Sequence, residues 1–305
     1  MRALPRHWAV HRETVDLPGR GELDLALWGW SADSPAEAER HARQRWQEVV
    51  DRGGPVRGGE ATEEYYPRRH LPEEILEEIH DEHGVLVAAV TRNRYGAEVL
   101  NTDLLLICDV DFPTEVAREA ERAERRPGLL GRLLGRGGAE PDEHALGLPG
   151  EGAAREAHER TLQQVGAFCV ARPELGVRVY RTRNGFRLLI TGSGLLPGSA
   201  GAEELMRELG TDPLYTTLCR VHESYRARLT PKPWRVDSRA PAPVRPWSAR
   251  ERWFAGWLDA YGRASAEVAV CRLIGTHGPE ARGIEAELVR RHDAAVRAES
   301  GLRLA

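Results

Sequence analysis

The run Leu104-Leu105-Leu106-Ile107-Cys108-Asp109-Val110-Asp111 is an apolar stretch of strand length that ends in two carboxylates spaced i, i+2. Alternate side chains of a strand share a face, so Asp109 and Asp111 point the same way. Two carboxylates about 7 Å apart repel by roughly 2–3 kcal/mol at an effective dielectric near 20. A hard divalent cation such as Mg2+ or Mn2+ between them removes that repulsion, because such ions take oxygen ligands. The plain alternative is a solvated strand end. What decides is what the rest of the chain brings to the pair.

A chain of 305 residues is long enough for one large or two ordinary domains. Charged residues make up 30% and the mean hydropathy is −0.49, as in a soluble protein. No apolar run approaches membrane-spanning length, and the N-terminus lacks a signal peptide's apolar core. Cys108, Cys169, Cys219 and Cys271 lie far apart with no CxxC, as buried thiols of a cytoplasmic protein would. A net charge of −4 confines any nucleic-acid surface to a local patch. Lys232 is the only lysine; arginine supplies every other basic side chain. Lysine survives where a compact point charge suits better than a planar fork, which marks Lys232 as a site candidate.

Residues 1–30 carry one or two edge strands, and Ser34-Pro35 opens a helix over Ala36–Val50. A glutamate-rich stretch from Leu71 to His83, with Ile75, Leu76 and Ile79 as its stripe, predicts a short helix. Val85–Val90 and Ala97–Asn101 read as strands joined by a turn. Beyond the acid-bearing strand come an amphipathic helix, Thr114–Arg125, and a Gly-, Pro- and Arg-rich mobile insertion over about 126–152. A long helix is expected over Ala153–Ala171.

Val177–Arg183 and Phe186–Thr191 flank Asn184-Gly185, a favoured type I′ hairpin turn. That loop would set Thr182 opposite Arg187 and Tyr180 opposite Leu189. Helical segments Ala202–Leu209 and Pro213–His222 precede a last strand, Ser224–Thr230. From Leu104 to Thr230 the order is strand, helix, strand, strand, helix, strand. This predicts an α+β fold with a split βαβ, ferredoxin-like sheet, whose first and third strands are neighbours. Its open face would carry Asp109, Asp111 and Arg187, with Arg226 and Arg228 from the last strand. Carboxylates that hold metal beside guanidinium forks suit a nucleoside triphosphate. The alternative is an arginine-rich face that merely stays soluble.

From Arg220 to Arg250 the chain has seven arginines and Lys232 against two acids, interleaved with Tyr225, Trp234 and Trp247. Basic groups with aromatic platforms suit single-stranded nucleic acid, and the five prolines here also suit a crossing linker. Ala249–Leu273 and Glu280–Glu299 read as an antiparallel helical hairpin, with His277 and His292-Asp293 as capped or core residues and, as the alternative, ligands or phosphate contacts.

Leu105–Asp111 resembles the hhhDhD motif of the archaeo-eukaryotic primase superfamily, and Thr182-Arg-Asn-Gly-Phe-Arg-Leu-Leu stands where SGxGxH would be. Arg226-Ala-Arg-Leu-Thr-Pro-Lys-Pro-Trp-Arg resembles the basic RxPxxxNxK stretch of prim-pol proteins. The same segments resemble an uncharacterised bacterial group with YRTxxGxR and FRARLTPKPWR motifs. The likeness covers roughly residues 85–240. It implies a primase-like core over 1–240, with an RRM-like part over about 103–232 and an N-terminal α/β module, then a helical hairpin over 241–305. It also implies metal-dependent nucleotidyl transfer with Mg2+ or Mn2+, a nucleoside triphosphate and single-stranded nucleic acid. Asp109 and Asp111 would hold the metal, with Asp237 as third acid and Glu223 as second candidate for that role. Arg187, in place of the motif histidine, would contact phosphate without shuttling protons. Arg226, Arg228, Lys232 and Arg235 complete the expected nucleotide-binding set. A catalytically weak binding module of the same fold and a metal-dependent nuclease are the alternatives.

Overall fold

The chain opens with two long antiparallel strands, β1 (His7–Leu17) and β2 (Gly21–Ser31), followed by helix α1 (Pro35–Asp51). Ser34 caps α1 as expected, its side chain accepting a hydrogen bond from the Glu37 amide. The structure, a computed structural model, describes residues 3–55, 71, 73–113 and 152–305. The helix expected over Thr114–Arg125 and the insertion expected over 126–152, save Gly152, lie outside the described residues.

Three strands come next, β3 (Glu74–His80), β4 (Leu86–Arg92) and β5 (Glu98–Thr102), and then the acid-bearing strand β6 (Leu106–Asp111). Helix α2 (Ala153–Ala171) leads to β7 (Gly176–Thr182) and β8 (Gly185–Thr191). Helices α3 (Ala200–Glu208) and α4 (Pro213–His222) precede β9 (Tyr225–Arg228). Helix α5 (Arg252–Ala266), strand β10 (Cys271–His277) and helix α6 (Gly283–Val296) complete the chain. The fold is α+β, with antiparallel sheets ordered β10-β7-β8-β6 and β3-β4-β5-β9 beside the β1–β2 pair. Among the described residues no helix is long and apolar enough to cross a membrane. All four cysteines are free thiols.

Four expectations are corrected. The stretch expected as a helix over Leu71–His83 contains strand β3, which pairs with β4 through two register shifts. The shift between Ile75 and Glu77 sets Ile75 opposite Thr91 and Ile79 opposite Ala88, on opposite faces, so the two isoleucines of the expected stripe enter different clusters, and the edge of the apolar β4 gains a neighbour. The helix expected over Ala249–Leu273 stops at Ala266, and Cys271–His277 pairs with β7, so the C-terminus is no helical hairpin. The last strand of the expected ferredoxin-like sheet, β9, lies against β6 but makes its ladder bonds to β5. The β7–β8 loop is Arg183-Asn184, so Tyr180 faces Arg187 and Thr182 faces Gly185. Neither loop residue has a positive φ, as a type I′ turn would need. Gly185 serves close approach instead: a Cβ there would lie 2.0 Å from Val110 O on β6.

That register differs from the expected one by two residues, so the parity of the faces survives. Every residue of β8 is buried. Phe186, Leu188 and Ile190 share the core with Val165 and Phe168 of α2. The opposite face is not open, as expected from sequence, because β9 and α6 reach Arg187 there. Burying each large apolar side chain contributes roughly 1.5–3 kcal/mol. Several in one strand outweigh the cost of a buried arginine at its centre, provided that arginine has partners.

Candidate functional site at the acid-bearing strand

Strand register places Asp109, Arg187 and Tyr180 in one row across β6, β8 and β7. Arg187 is 2% exposed. Its Nε lies 3.6 Å from Asp109 Oδ1, and its Nη1 donates to the Arg228 carbonyl at 2.9 Å. The same Nη1 sits 3.3 Å from His292 Nε2 on α6. His292 is fully buried, and burial together with Arg187 pushes its pKa down to about 4 against the pull of Asp293. The imidazole is therefore neutral at pH 7. Its neighbours assign the tautomer: Nε2 accepts from Arg187, and Nδ1–H donates to Asp293 Oδ1 at 3.0 Å. Asp293 also accepts from the Tyr180 hydroxyl at 2.5 Å and from Arg178 at 2.6 Å. A continuous polar chain thus runs from Asp109 through Arg187 and His292 to α6.

Asp111 is exposed at the end of β6, yet the protein around its carboxyl still displaces part of the water. That desolvation, then Asp109 and Asp212, raise its pKa to about 6, while Lys232 and Arg228 pull it back. Asp212 was not singled out from sequence. It caps α4, accepting from the Leu214 amide at 3.0 Å, and its own amide donates to Asp109 O at 3.0 Å. The dipeptide Asp212-Pro213 announces a helix cap, and nothing local announces its nearness to Asp111.

Arg228 and Lys232 converge on the same carboxylates. Burial, then Arg187, depress the Arg228 pKa, and Asp109 and Asp111 oppose them. Lys232 is likewise depressed by burial, Arg228 and Arg235, with Asp111 and Asp109 opposing. The lysine stands on a stiff segment, as its flanking prolines imply. Its φ of −62° and ψ of 128° are extended, and both Pro231 and Pro233 are buried. The Tyr261 hydroxyl donates to Pro231 O at 2.5 Å, and Thr230 Oγ1 accepts from the Glu98 amide at 2.8 Å.

The other expected site residues stand apart. Arg226 Nη2 donates to both oxygens of buried Glu73, at 2.8 and 3.0 Å, while its Nη1 is buried with no hydrogen-bond partner among the described residues. Arg235 is half-buried, and its charge acts on Lys232. Asp237 is exposed in a left-handed turn at φ 54°, and Glu223 forms the left-handed C-cap of α4. The third carboxylate beside the pair is Asp212.

Among the described residues no group of three or more His, Cys, Asp or Glu is arranged to hold a metal ion. The donors present are oxygens, which suit Mg2+ or Mn2+ rather than a softer metal. Nε of Arg228 is buried with no hydrogen-bond partner among the described residues, while Nε of Arg187 has the ion pair with Asp109 in place of a hydrogen bond. An unpartnered Arg228 N–H beside carboxylates suits an anionic oxygen, such as that of a phosphate group.

No protein-family model, curated protein or solved structure matches the chain.

Proposed function

We propose that this protein is a metal-dependent nucleotidyltransferase of primase or polymerase type, taking a nucleoside triphosphate and single-stranded nucleic acid. The observation that carries the reading is the carboxylate pair Asp109 and Asp111 at the end of β6, faced by Arg228 and Lys232. The order β7-β8-β6, with α2 between β6 and β7, supports the ferredoxin-like core that the primase resemblance implies. A bound Mg2+ or Mn2+ would polarise phosphoryl oxygens and neutralise charge as the transition state forms. Asp109 and Asp111 would hold it, with Arg228 and Lys232 facing the phosphates. Arg187 takes a different part from the one its motif position implies. Buried and shared among three partners, it fixes the direction of Asp109.

The Asp109–Arg187 contact favours a second reading, a nucleotide-binding module with little turnover, because a carboxylate held by a guanidinium is a poorer metal ligand. Incorporation of labelled nucleotide on single-stranded templates with Mg2+ or Mn2+ separates the two. Incorporation supports the transferase; triphosphate binding without it supports the module; shortening of the template indicates a nuclease.

Lys232 gives a finer test. Lys232→Ala is expected to weaken binding of Mg2+–triphosphate about tenfold, the loss of one charge-assisted contact. Lys232→Arg recovers only part, because a planar fork does not occupy the place of a compact ammonium. Calorimetric titration reads the result. Equal affinities for all three proteins would remove Lys232 from the site.

A further inference from the structure

The segment that carries Lys232 also builds a second feature, beside the carboxylate site. A groove of about 720 Å3 opens between the β4–β5 turn and the proline-rich stretch that follows Trp234. Tyr95 and Trp234 are its aromatic walls, Arg94 and Arg239 its charged ones, and Pro241 and Pro243 its stiff ones. Trp234 is 42% exposed, and Tyr95 meets it edge-on with ring centroids 5.1 Å apart. Soluble proteins seldom leave such a flat apolar surface in water inside a concavity without a use for it.

The walls are fixed before anything binds. Asn93 Oδ1 accepts from the amides of Tyr95 and Ala97 at 3.0 and 3.1 Å, locking the turn that presents the tyrosine. The Val244 amide donates to Arg94 O at 2.7 Å, tying the proline stretch to that turn. Gly96 backs onto Trp257, and a Cβ there would come within 2.0 Å of the indole. A preformed groove loses little entropy when filled.

Charge selects the occupant. The Arg94 guanidinium lies 5.0 Å from the Tyr95 ring centre, and Lys232 Nζ lies 5.7 Å from that of Trp234. Among the described residues no carboxylate lines the groove. A proline-rich peptide would use the aromatic walls and gain nothing from the cations. An unpaired nucleotide uses both, its base stacking on an indole and its phosphate meeting guanidinium.

We infer that the Tyr95–Trp234 groove binds one unpaired nucleotide of a single-stranded nucleic acid, with the base against Trp234 and the backbone phosphate near Arg239 and Arg94. Lys232, shared between groove and carboxylates, makes the two sites neighbours. The inference rests on the reading of this protein as one that acts on nucleic acid, and its test requires no turnover.

The test is fluorescence anisotropy of a short labelled oligothymidylate in EDTA, where no metal-dependent step contributes. Trp234→Ala is expected to weaken binding about tenfold, the size of one lost stack, and Trp234→Phe to retain most of the affinity. An abasic strand of equal length should bind wild type and Trp234→Ala alike. Arg239→Ala should weaken both strands, because it removes a phosphate contact. Thermal melting of each variant confirms that it is folded, and Trp234→Phe with Arg239→Ala still decide the matter if Trp234→Ala is not. Equal affinity of wild type and Trp234→Ala for oligothymidylate would overturn the inference, as would the same loss on the abasic strand. Tight binding of a proline-rich peptide with none of the oligonucleotide would overturn it too. Oligonucleotide binding that depends on Trp234, in a protein that incorporates no nucleotide, would leave the groove standing and remove only the transferase reading.

Discussion

Asp109→Asn combined with Asp111→Asn is expected to lower the proposed metal-dependent nucleotide incorporation ~100-fold or more while the chain stays folded, since it removes the charges that would hold the ion. The single variants should differ in stability, because the two carboxylates have different partners. Asp109 faces Arg187 at 3.6 Å, so Asp109→Asn is destabilising. Asp111 is crowded by protein, by Asp109 and by Asp212, so Asp111→Asn is stabilising. The folded pKa of Asp111, about 6, lies above the ordinary 3.8, so the folded state binds the proton more tightly than the unfolded one. Stability therefore falls as pH rises from about 4 to about 6, and the asparagine removes that fall. At pH 7 the gain is about 1 kcal/mol, ~2 °C in a chain of this size, because the solvent edge of Asp111 screens much of the penalty. Below about pH 4 both states are protonated and the two proteins should melt alike. Calorimetry across pH 4–8 reads this. A lower melting temperature for Asp111→Asn at pH 7 would mean that the carboxylate is a structural acceptor.

Arg187→Ala is expected to have the largest effect on stability, about 3–5 kcal/mol, as for breaking one partner of a buried ion pair. It removes the guanidinium paired with Asp109, the donor to the Arg228 carbonyl and the neighbour of His292 Nε2. It also opens a void in a strand that is buried at every position. Arg187→Lys recovers little, because one ammonium cannot serve three partners arranged around a planar fork. Arg187→Met, which keeps the packing volume, should fall between. Urea unfolding measures the shift in midpoint at constant slope. A loss below about 1 kcal/mol for the alanine variant would show that the row across β6, β8 and β7 is held by apolar packing alone.

Local signals carried far into the structure. The Ser34 cap, helix Ala153–Ala171 and the two hairpin strands stand where their sequences put them, because cap chemistry and periodicity act within a few residues. The acid-bearing strand was legible for the same reason, and with it the shared face of Asp109 and Asp111. What failed were assignments that depend on distant partners. Strand β3 reads as a glutamate-rich helix until β4 needs a neighbour, and β10 follows α5 without a breaker that stops the apolar stripe. Asn184-Gly185 is a strong turn signal, but its glycine serves the approach of β8 to the Val110 carbonyl, which moved the register by two residues.

The site divides along the same line. Asp109, Asp111, Arg228 and Lys232 meet as their strand parity and stiff segment imply. Arg187 shares their face, but its burial follows from α6, whose His292-Asp293 pair lies far along the chain. Arginine looks the same in sequence whether it faces solvent or a buried histidine. Arg226 shares a face of β9 with Arg228 as expected, yet Glu73, a residue of no evident motif, holds its Nη2.

The central claim is that Asp109 and Asp111, with their cationic neighbours, hold a metal–triphosphate pair. Titration of Mn2+ followed by electron paramagnetic resonance, with and without a non-hydrolysable triphosphate, tests it most directly. The account predicts saturable binding of Mn2+ that the triphosphate tightens about tenfold, as an added set of oxygen ligands should. That binding should weaken below pH 6 as Asp111 takes up a proton, and it should vanish in the Asp109→Asn, Asp111→Asn double variant. Equal Mn2+ binding by wild type and double variant, or no bound Mn2+ in the presence of triphosphate, would contradict it.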